Sequence, residues 1–275
     1  MKITYFGTAA AEGWPGLFCR CEACEKARAL GGRNIRTRSQ ALIDDGLLLD
    51  LPPDTYMHVL YGGLDLTAVH SLLVTHTHFD HYAPHELWCR SPGIAYGLRE
   101  DVPVLKVFGS EFVCENFLKR PRPENEEKRV DFEVVRSEQT FTAGDYTVTA
   151  LPADHGRPGD AFIYAIEKEG KSLFYCHDTG YLTDTAWGWL EKTGKRFDLI
   201  SLDCTNIVGD GRRGHMGVSA CREVKARLLE LGAADENTVF VLNHFSHNGK
   251  TVYDDLAAEL EGEFTVSYDG LAIEF

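Results

Sequence analysis

The seven residues Thr75-His76-Thr77-His78-Phe79-Asp80-His81 constrain this chain more than any other stretch. They follow the apolar run Leu72-Leu73-Val74, which reads as a buried strand, so three imidazoles and a carboxylate sit at the C-terminal mouth of that strand. Neutral imidazole and carboxylate are ligands that borderline divalent metals accept. The spacing H-x-H-x-D-H offers two ligand pairs on opposite sides of one short loop, enough to start two metal sites.

Composition bounds the rest. With 275 residues, the chain could form one large domain or two small ones. Hydrophobic residues make up 44% and charged residues 25%, ordinary values for a globular enzyme. No stretch approaches the ~20 apolar residues needed to cross a bilayer, so no membrane partner is expected. The opening Met1–Gly7 is strand-like and lacks the features of a signal peptide, which makes cytoplasmic localisation the expectation. Net charge is 28 − 42 = −14. An acidic surface repels phosphate backbones, so nucleic acid is an unfavoured partner, whereas a metal pair would let a small anion bind locally. A homodimer is allowed, but no interface stripe marks one. Of the eight cysteines, Cys89, Cys114, Cys176, Cys204 and Cys221 are scattered and read as small buried or half-buried residues rather than a disulfide framework. Cys19, Cys21 and Cys24 are clustered and need another account.

Strand signals occur at Lys2–Phe6, at Ala41–Ile43 and Leu47–Asp50 around an Asp-Asp-Gly turn, and at Leu72–Val74, Val104–Phe108, Phe132–Val135, Tyr146–Leu151, Ala161–Ile166, Ser172–Tyr175, Leu199–Leu202, Val239–Leu242, Phe264–Val266 and Leu271–Phe275. Helical signals occur at Asp54–Tyr61, Glu111–Lys119, Asp184–Lys192, Ser219–Leu231 with Ser219 as N-cap, and Thr251–Leu260. The charged, proline-broken stretch 121–129 reads as an exposed loop. No long linker and no fixed-period repeat is visible. The pattern predicts one α/β domain over residues 1–275, with helices outside packed sheets.

Further polar groups stand just after apolar strands: Asp154-His155-Gly156, His177-Asp178-Thr179-Gly180, and Asn243-His244 with His247 three residues on. Strands of one sheet end on a common edge, where their loops can converge. The ordered set Thr-His-x-His-x-Asp-His, an isolated His-Gly, Asp-Thr-Gly and a late His resembles the metallo-β-lactamase superfamily. The resemblance implies an αββα sandwich with two divalent metals, Zn²⁺ or Mn²⁺, at one edge. It implies that His76, His78 and His155 hold one metal, that Asp80, His81 and His244 hold the other, and that Asp178 bridges them. A bridged pair pushes a shared water from a pKa near ~15.7 towards ~7 and can clamp attacking and leaving oxygens, and an intact Asp80 favours hydrolysis by such a centre.

The triplet Cys19-x-Cys21-x-x-Cys24 supplies three thiolates, and tetrahedral structural zinc needs four ligands. His247 is available to close a Cys₃His site on the N-terminal loop 19–24. The segment Cys19–Ser39 and the ending Ser267-Tyr268-Asp269-Gly270-Leu271 are similar to one branch of the superfamily, that of the phosphoribosyl cyclic phosphate phosphodiesterase, whose members carry such a zinc. The stretch 84–139 matches nothing and is expected to shape the pocket. In that branch, and in the related tRNA 3′-processing endonucleases, a non-ligand histidine assists phosphoester cleavage, and the resemblance implies this role for His215. Arg212 and Arg213 just before it are candidate phosphate contacts. The expectation is a binuclear metal phosphodiesterase acting on a small phosphate ester, cyclic ones included, by attack of metal-bound hydroxide, with Asp80 and His215 in the catalytic site. The alternatives are hydrolysis of a carboxylic ester, thioester or lactone on the same metals, or a non-catalytic cofactor-pathway accessory protein of the same fold.

Overall fold

A computed structural model describes residues 1–91, 93–98, 102, 104–119 and 129–275. The expected loop at 121–129 therefore lies almost wholly outside the described residues. The described residues form two seven-stranded sheets. The first contains β1 (Lys2–Gly7), β2 (Gln40–Ile43), β3 (Leu47–Leu49), β4 (Ser71–Leu73), β5 (Leu105–Gly109), β6 (Val130–Val134) and β14 (Leu271–Glu274), in the order β14-β1-β2-β3-β4-β5-β6. The second contains β7 (Thr140–Ala143), β8 (Tyr146–Pro152), β9 (Phe162–Lys168), β10 (Lys171–Cys176), β11 (Leu199–Asp203), β12 (Val239–Asn243) and β13 (Thr265–Val266), in the order β13-β12-β11-β10-β9-β8-β7. β3 to β6 run parallel, as do β10 to β13, so these strands deliver their C-terminal ends to one edge of each sheet.

Side-chain alternation along the strands builds three cores. Ile3, Tyr5, Leu49, Leu73 and Phe108 of the first sheet pack against Tyr164, Ile166, Leu173, Tyr175 and Val241 of the second. Their neighbours in register point the other way. Phe174, Cys176, Ile200 and Leu202 pack under α1 (Glu22–Leu30), α4 (Asp184–Thr193), α5 (Val218–Glu230) and α6 (Tyr253–Glu259). Leu72, Val74 and Val107 pack under α2 (Thr55–Tyr61) and α3 (Glu111–Lys119), which contribute Val59, Val113 and Phe117. Each fully buried aliphatic or aromatic side chain contributes roughly 1.5–3 kcal/mol of transfer free energy, so all three interfaces are strong. The result is the expected four-layer αββα sandwich.

Two local expectations are corrected. Ser219 is not the N-cap of α5. The helix begins at Val218 with Gly217 as its cap, and Ser219 lies in the first turn, 3.4 Å from Asp210. Only glycine fits the cap position, since a Cβ at Gly217 would lie 1.9 Å from the Gly209 carbonyl oxygen. The ligand-bearing loops also come from both sheets rather than one. The His76–His81 loop follows β4 of the first sheet, while His155, Asp178 and His244 follow β8, β10 and β12 of the second. Among the described residues of 84–139, β5 and β6 are integral to the first sheet, and α3 packs on it through Val113 and Phe117. β7 escaped the sequence reading, because four residues of Thr-Phe-Thr-Ala carry too short an alternation. Cys89 is exposed, Cys114 is half-buried, and Cys176, Cys204 and Cys221 are buried, all of them free.

Candidate metal centre

At the shared edge the expected ligands converge. One group gathers donor atoms of His76, His78, His155 and Asp178, and a second gathers those of Asp80, His81, Asp178 and His244; within each group all lie within 4.8 Å of one another. Asp178 belongs to both, as a bridging carboxylate must. Its Oδ2 lies 3.5 Å from His76 Nε2, 3.2 Å from His81 Nε2 and 3.6 Å from His155 Nε2, and its Oδ1 lies 2.8 Å from His244 Nε2.

The outer nitrogens fix the tautomers. His155 Nδ1 donates to the Gly214 carbonyl at 2.9 Å, and His81 Nδ1 donates to Asp50 at 2.7 Å, so both turn their Nε2 atoms inward. Burial opposes charge on His81, but Asp178, Asp80 and Asp50 outweigh it and hold His81 above the usual imidazole range, a positive charge that a cation here would replace. His244 Nδ1 faces Thr205 Oγ1 at 2.7 Å. Consequently nitrogens face nitrogens: His155 Nε2 is 3.0 Å from His78 Nδ1, and His81 Nε2 is 3.1 Å from His244 Nε2. His76 Nε2 is buried without a hydrogen-bond partner, and Asp178 Oδ1 takes no hydrogen bond of acceptable geometry despite its closeness to His244. Inward nitrogens gathered this closely around a carboxylate, with one buried nitrogen left orphaned, are a donor set that divalent cations take. A hydrogen-bonded outer nitrogen is the usual way such ligands are oriented.

Electrostatics agree. Burial holds His76 and His155 below the usual imidazole range, so both are neutral and ready to ligate. Burial opposes charge on Asp178 and Asp80 too, but His244 and His81 outweigh it at Asp178, and His81 outweighs it at Asp80, so both carboxyls stay ionised. Asp50, Asp178 and His244 all adopt left-handed backbone, with φ of 65°, 49° and 63°. Such strain persists where surroundings over-determine the conformation. Here His177 and Asn243, the residues before Asp178 and His244, face each other at 3.2 Å across β11, and Ser201 of β11 sits 2.7 Å from His177. Gly180 completes the Asp-Thr-Gly turn, where a Cβ would lie 2.4 Å from the Arg212 carbonyl oxygen.

His215 lies beside the ligands. Its ring centroid is 4.7 Å from that of His155 and 5.4 Å from that of His244. Its Nδ1 donates to Asp203 Oδ2 at 2.8 Å. Burial disfavours its charge, but Asp203 outweighs this and lifts it to about 9. A fourth grouping of donors, Asp178, Asp203, His215 and His244, overlaps the second metal group. Since Asp203 and His215 bond each other, we read them as a proton-holding pair rather than a third ion site. Arg212 pairs with Glu223 and lies 5.6 Å from the Tyr181 ring, and the largely exposed Arg213 pairs with Asp154 at 3.0 Å.

Three residues beyond His244, His247 forms one group with Cys19, Cys21 and Cys24 within the same 4.8 Å limit. His247 Nδ1 is 3.4 Å from Cys21 Sγ and 3.7 Å from Cys19 Sγ, and its Nε2 faces Glu12 at 3.6 Å. A backbone N–H from Cys24 draws the Cys21 thiol down to about 6, favouring the thiolate a metal needs. Three thiols and one imidazole match the donor set of structural zinc.

Asp50 and Asp203 were missed in the sequence reading. Both follow apolar strands, Leu47–Leu49 and Leu199–Leu202, so the strand-end rule that found His155 and Asp178 would have found them too.

A family model described as the Beta-lactamase superfamily domain matches residues 52–245, well over half of the chain, and the protein belongs to that superfamily. Its fold is shared by solved structures of low sequence identity. A diphosphatase from the PhnP family is 19% identical with a TM-score of 0.75, covering 100% of this chain and 97% of that one. Zn²⁺-bound PqqB from Methylobacterium extorquens is 20% identical with a TM-score of 0.74, covering 100% of both chains. The short form of human tRNase Z is 16% identical with a TM-score of 0.65, covering 100% of this chain and 99% of that one. No curated protein matches the chain by sequence. Among the described residues, no helix is long and apolar enough to cross a membrane.

Proposed function

We propose that the protein is a binuclear metal-dependent phosphodiesterase acting on a small phosphate ester. His76, His78 and His155 would hold one cation and Asp80, His81 and His244 the other, with Asp178 common to both donor groups. Bound there, a cation pair would supply an activated water and charge neutralisation for a phosphoryl group. His215 delivers a proton to the departing oxygen.

The observation that carries the reading is the Asp203–His215 pair, a non-ligand imidazole held at 2.8 Å by a buried carboxylate and flanked by two ligand rings. Alkoxide leaving groups need a proton, and a positioned imidazole supplies one, whereas thiolate leaving groups do not. Similar folds described as a diphosphatase and as a tRNase Z add support from phosphoester chemistry. Arg213, next but one to His215 and largely exposed, is positioned to meet a substrate anion once it leaves Asp154. The Cys19, Cys21, Cys24 and His247 group holds a structural zinc.

The test uses His215→Ala. Hydrolysis of a 2′,3′-cyclic nucleotide, whose leaving group is an alkoxide, should fall by roughly 10²–10⁴-fold with both active-site metals retained. A thioester reporter run in parallel should turn over poorly with the parent. Parent-level phosphodiester hydrolysis in the variant, or a thioester rate above the phosphodiester rate in the parent, contradicts the assignment.

A further inference from the structure

Beside the metal-ligand loop lies a cavity of about 470 Å³, lined by Thr77, Phe79 and Tyr82 of that loop, by His85, and by Asn116 and Lys119 of α3. Its described lining includes no aspartate or glutamate, in a protein of net charge −14. Cavities elsewhere are lined by carboxylates: Asp235, Glu236 and Glu263 in one, Asp145, Glu167 and Glu169 in another. Phe79, between the ligands His78 and Asp80, leaves 61% of its surface exposed. The Arg38 guanidinium lies over this phenyl ring, 5.7 Å from its centroid, and the rest of the ring is open aromatic surface on the loop.

The two walls are tied together from behind. The buried carboxylate of Asp160 accepts from Thr77 Oγ1 at 2.5 Å on the ligand loop and from Ser110 Oγ at 3.0 Å just before α3. Ser110 Oγ in turn accepts from the Val113 backbone N–H at 3.2 Å in the first turn of α3. The helix carrying Asn116 and Lys119 is thereby held in register with the residues between the metal ligands. Lys119 pairs with Glu115 at 3.2 Å, an exposed i,i+4 contact that yields readily to a better-placed anion.

We infer that this cavity is a substrate subsite beside the metal centre, and that it takes a planar ring bearing a second anionic group. The ring stacks on Phe79, Asn116 bonds its polar edge, and the Lys119 ammonium meets the anion. The inference rests on the proposed phosphodiesterase reading and extends it to the class of ester.

The probes are inorganic phosphate and adenosine 3′,5′-bisphosphate, titrated calorimetrically into the Mn²⁺-loaded protein so that binding is read independently of turnover. The parent should bind the bisphosphate at least tenfold more tightly than phosphate. Phe79→Ala should weaken the bisphosphate about tenfold, the scale of one lost stacking contact, and leave phosphate affinity unchanged. Lys119→Gln should weaken the bisphosphate several-fold, again with phosphate unchanged. Equal binding of the two probes by the parent overturns the subsite, as do variants that shift both probes alike or neither. A parent that binds as expected but hydrolyses no phosphodiester overturns the proposed activity and leaves the subsite standing.

Discussion

His81 Nδ1 donates to Asp50 Oδ2 across 2.7 Å, with both side chains fully buried. Asp50 also accepts from the backbone and hydroxyl of Thr75, at 2.7 Å and 3.0 Å, so one carboxylate from the end of β3 fixes both the start of the ligand loop and the tautomer of its last histidine. Asp50→Asn should lower the affinity of the Asp80, His81 and His244 site by about 10–100-fold, because an amide nitrogen facing His81 no longer draws its proton outward. Competition with a chromophoric chelator measures this. An unchanged metal affinity would show that Asp50 serves the fold alone.

Most strands, five of the helices and the seven residues that gather at the candidate metal centre were legible because apolar runs announce the strand ends and each of the seven is histidine or aspartate, whereas α1 was not read as a helix. The strand-end position of Asp203 and Asp50 could have been read, but their roles could not, since an aspartate there looks like any turn residue until its partner's position is known. The cap of α5 was hidden because Gly217 is chosen by a contact with Gly209, eight residues earlier in the chain. The joining of two sheets at the site was invisible because strand order, not strand identity, decides which ends meet.

The Cys19, Cys21, Cys24 and His247 group predicts a second kind of metal dependence. Cys24→Ser should reduce bound zinc by one equivalent and lower the melting temperature by at least about 5 °C, since binding at such sites adds directly to folding free energy. The active-site metals should remain. Elemental analysis with thermal unfolding reads both, and a variant with full zinc content and parental melting temperature contradicts the site.

A buried hydrogen-bond chain behind the centre sets a pH dependence of stability. Asp269 Oδ2 lies 2.6 Å from Thr37 Oγ1, which lies 2.7 Å from His58 Nε2, and His58 Nδ1 donates to Gln40 at 2.6 Å. The threonine has one proton for these two acceptors and for the Phe6 carbonyl at 3.4 Å. Burial pushes Asp269 up from 3.8 to about 6 and His58 down from 6.5 to about 4. Between those values the folded pair holds one proton, on Asp269, and the unfolded pair also holds one, on His58, so together they add no slope. The single variants uncover opposite slopes. Asp269, with its folded pKa raised, contributes stability that declines as pH rises from about 4 to about 6. Asp269→Asn should therefore gain stability relative to the parent over that range. His58, with its folded pKa depressed, contributes stability that grows over the same range, so His58→Gln should lose relative stability. Each swing is roughly 2–3 kcal/mol. Urea midpoints across the range decide it, and parental slopes in both variants would rule the linkage out.

The central claim, a two-metal phosphodiesterase, is tested most directly by adding Mn²⁺ or Zn²⁺ stepwise to chelator-stripped protein while following bis-p-nitrophenyl phosphate hydrolysis and bound metal together. The structural zinc is counted separately through Cys24→Ser. Two cations should bind at the active site, with the rate rising as the second is filled, and Asp178→Ala should abolish that rise in a folded protein. Two cations bound with no phosphodiester hydrolysis, or full hydrolysis by Asp178→Ala, would contradict the account.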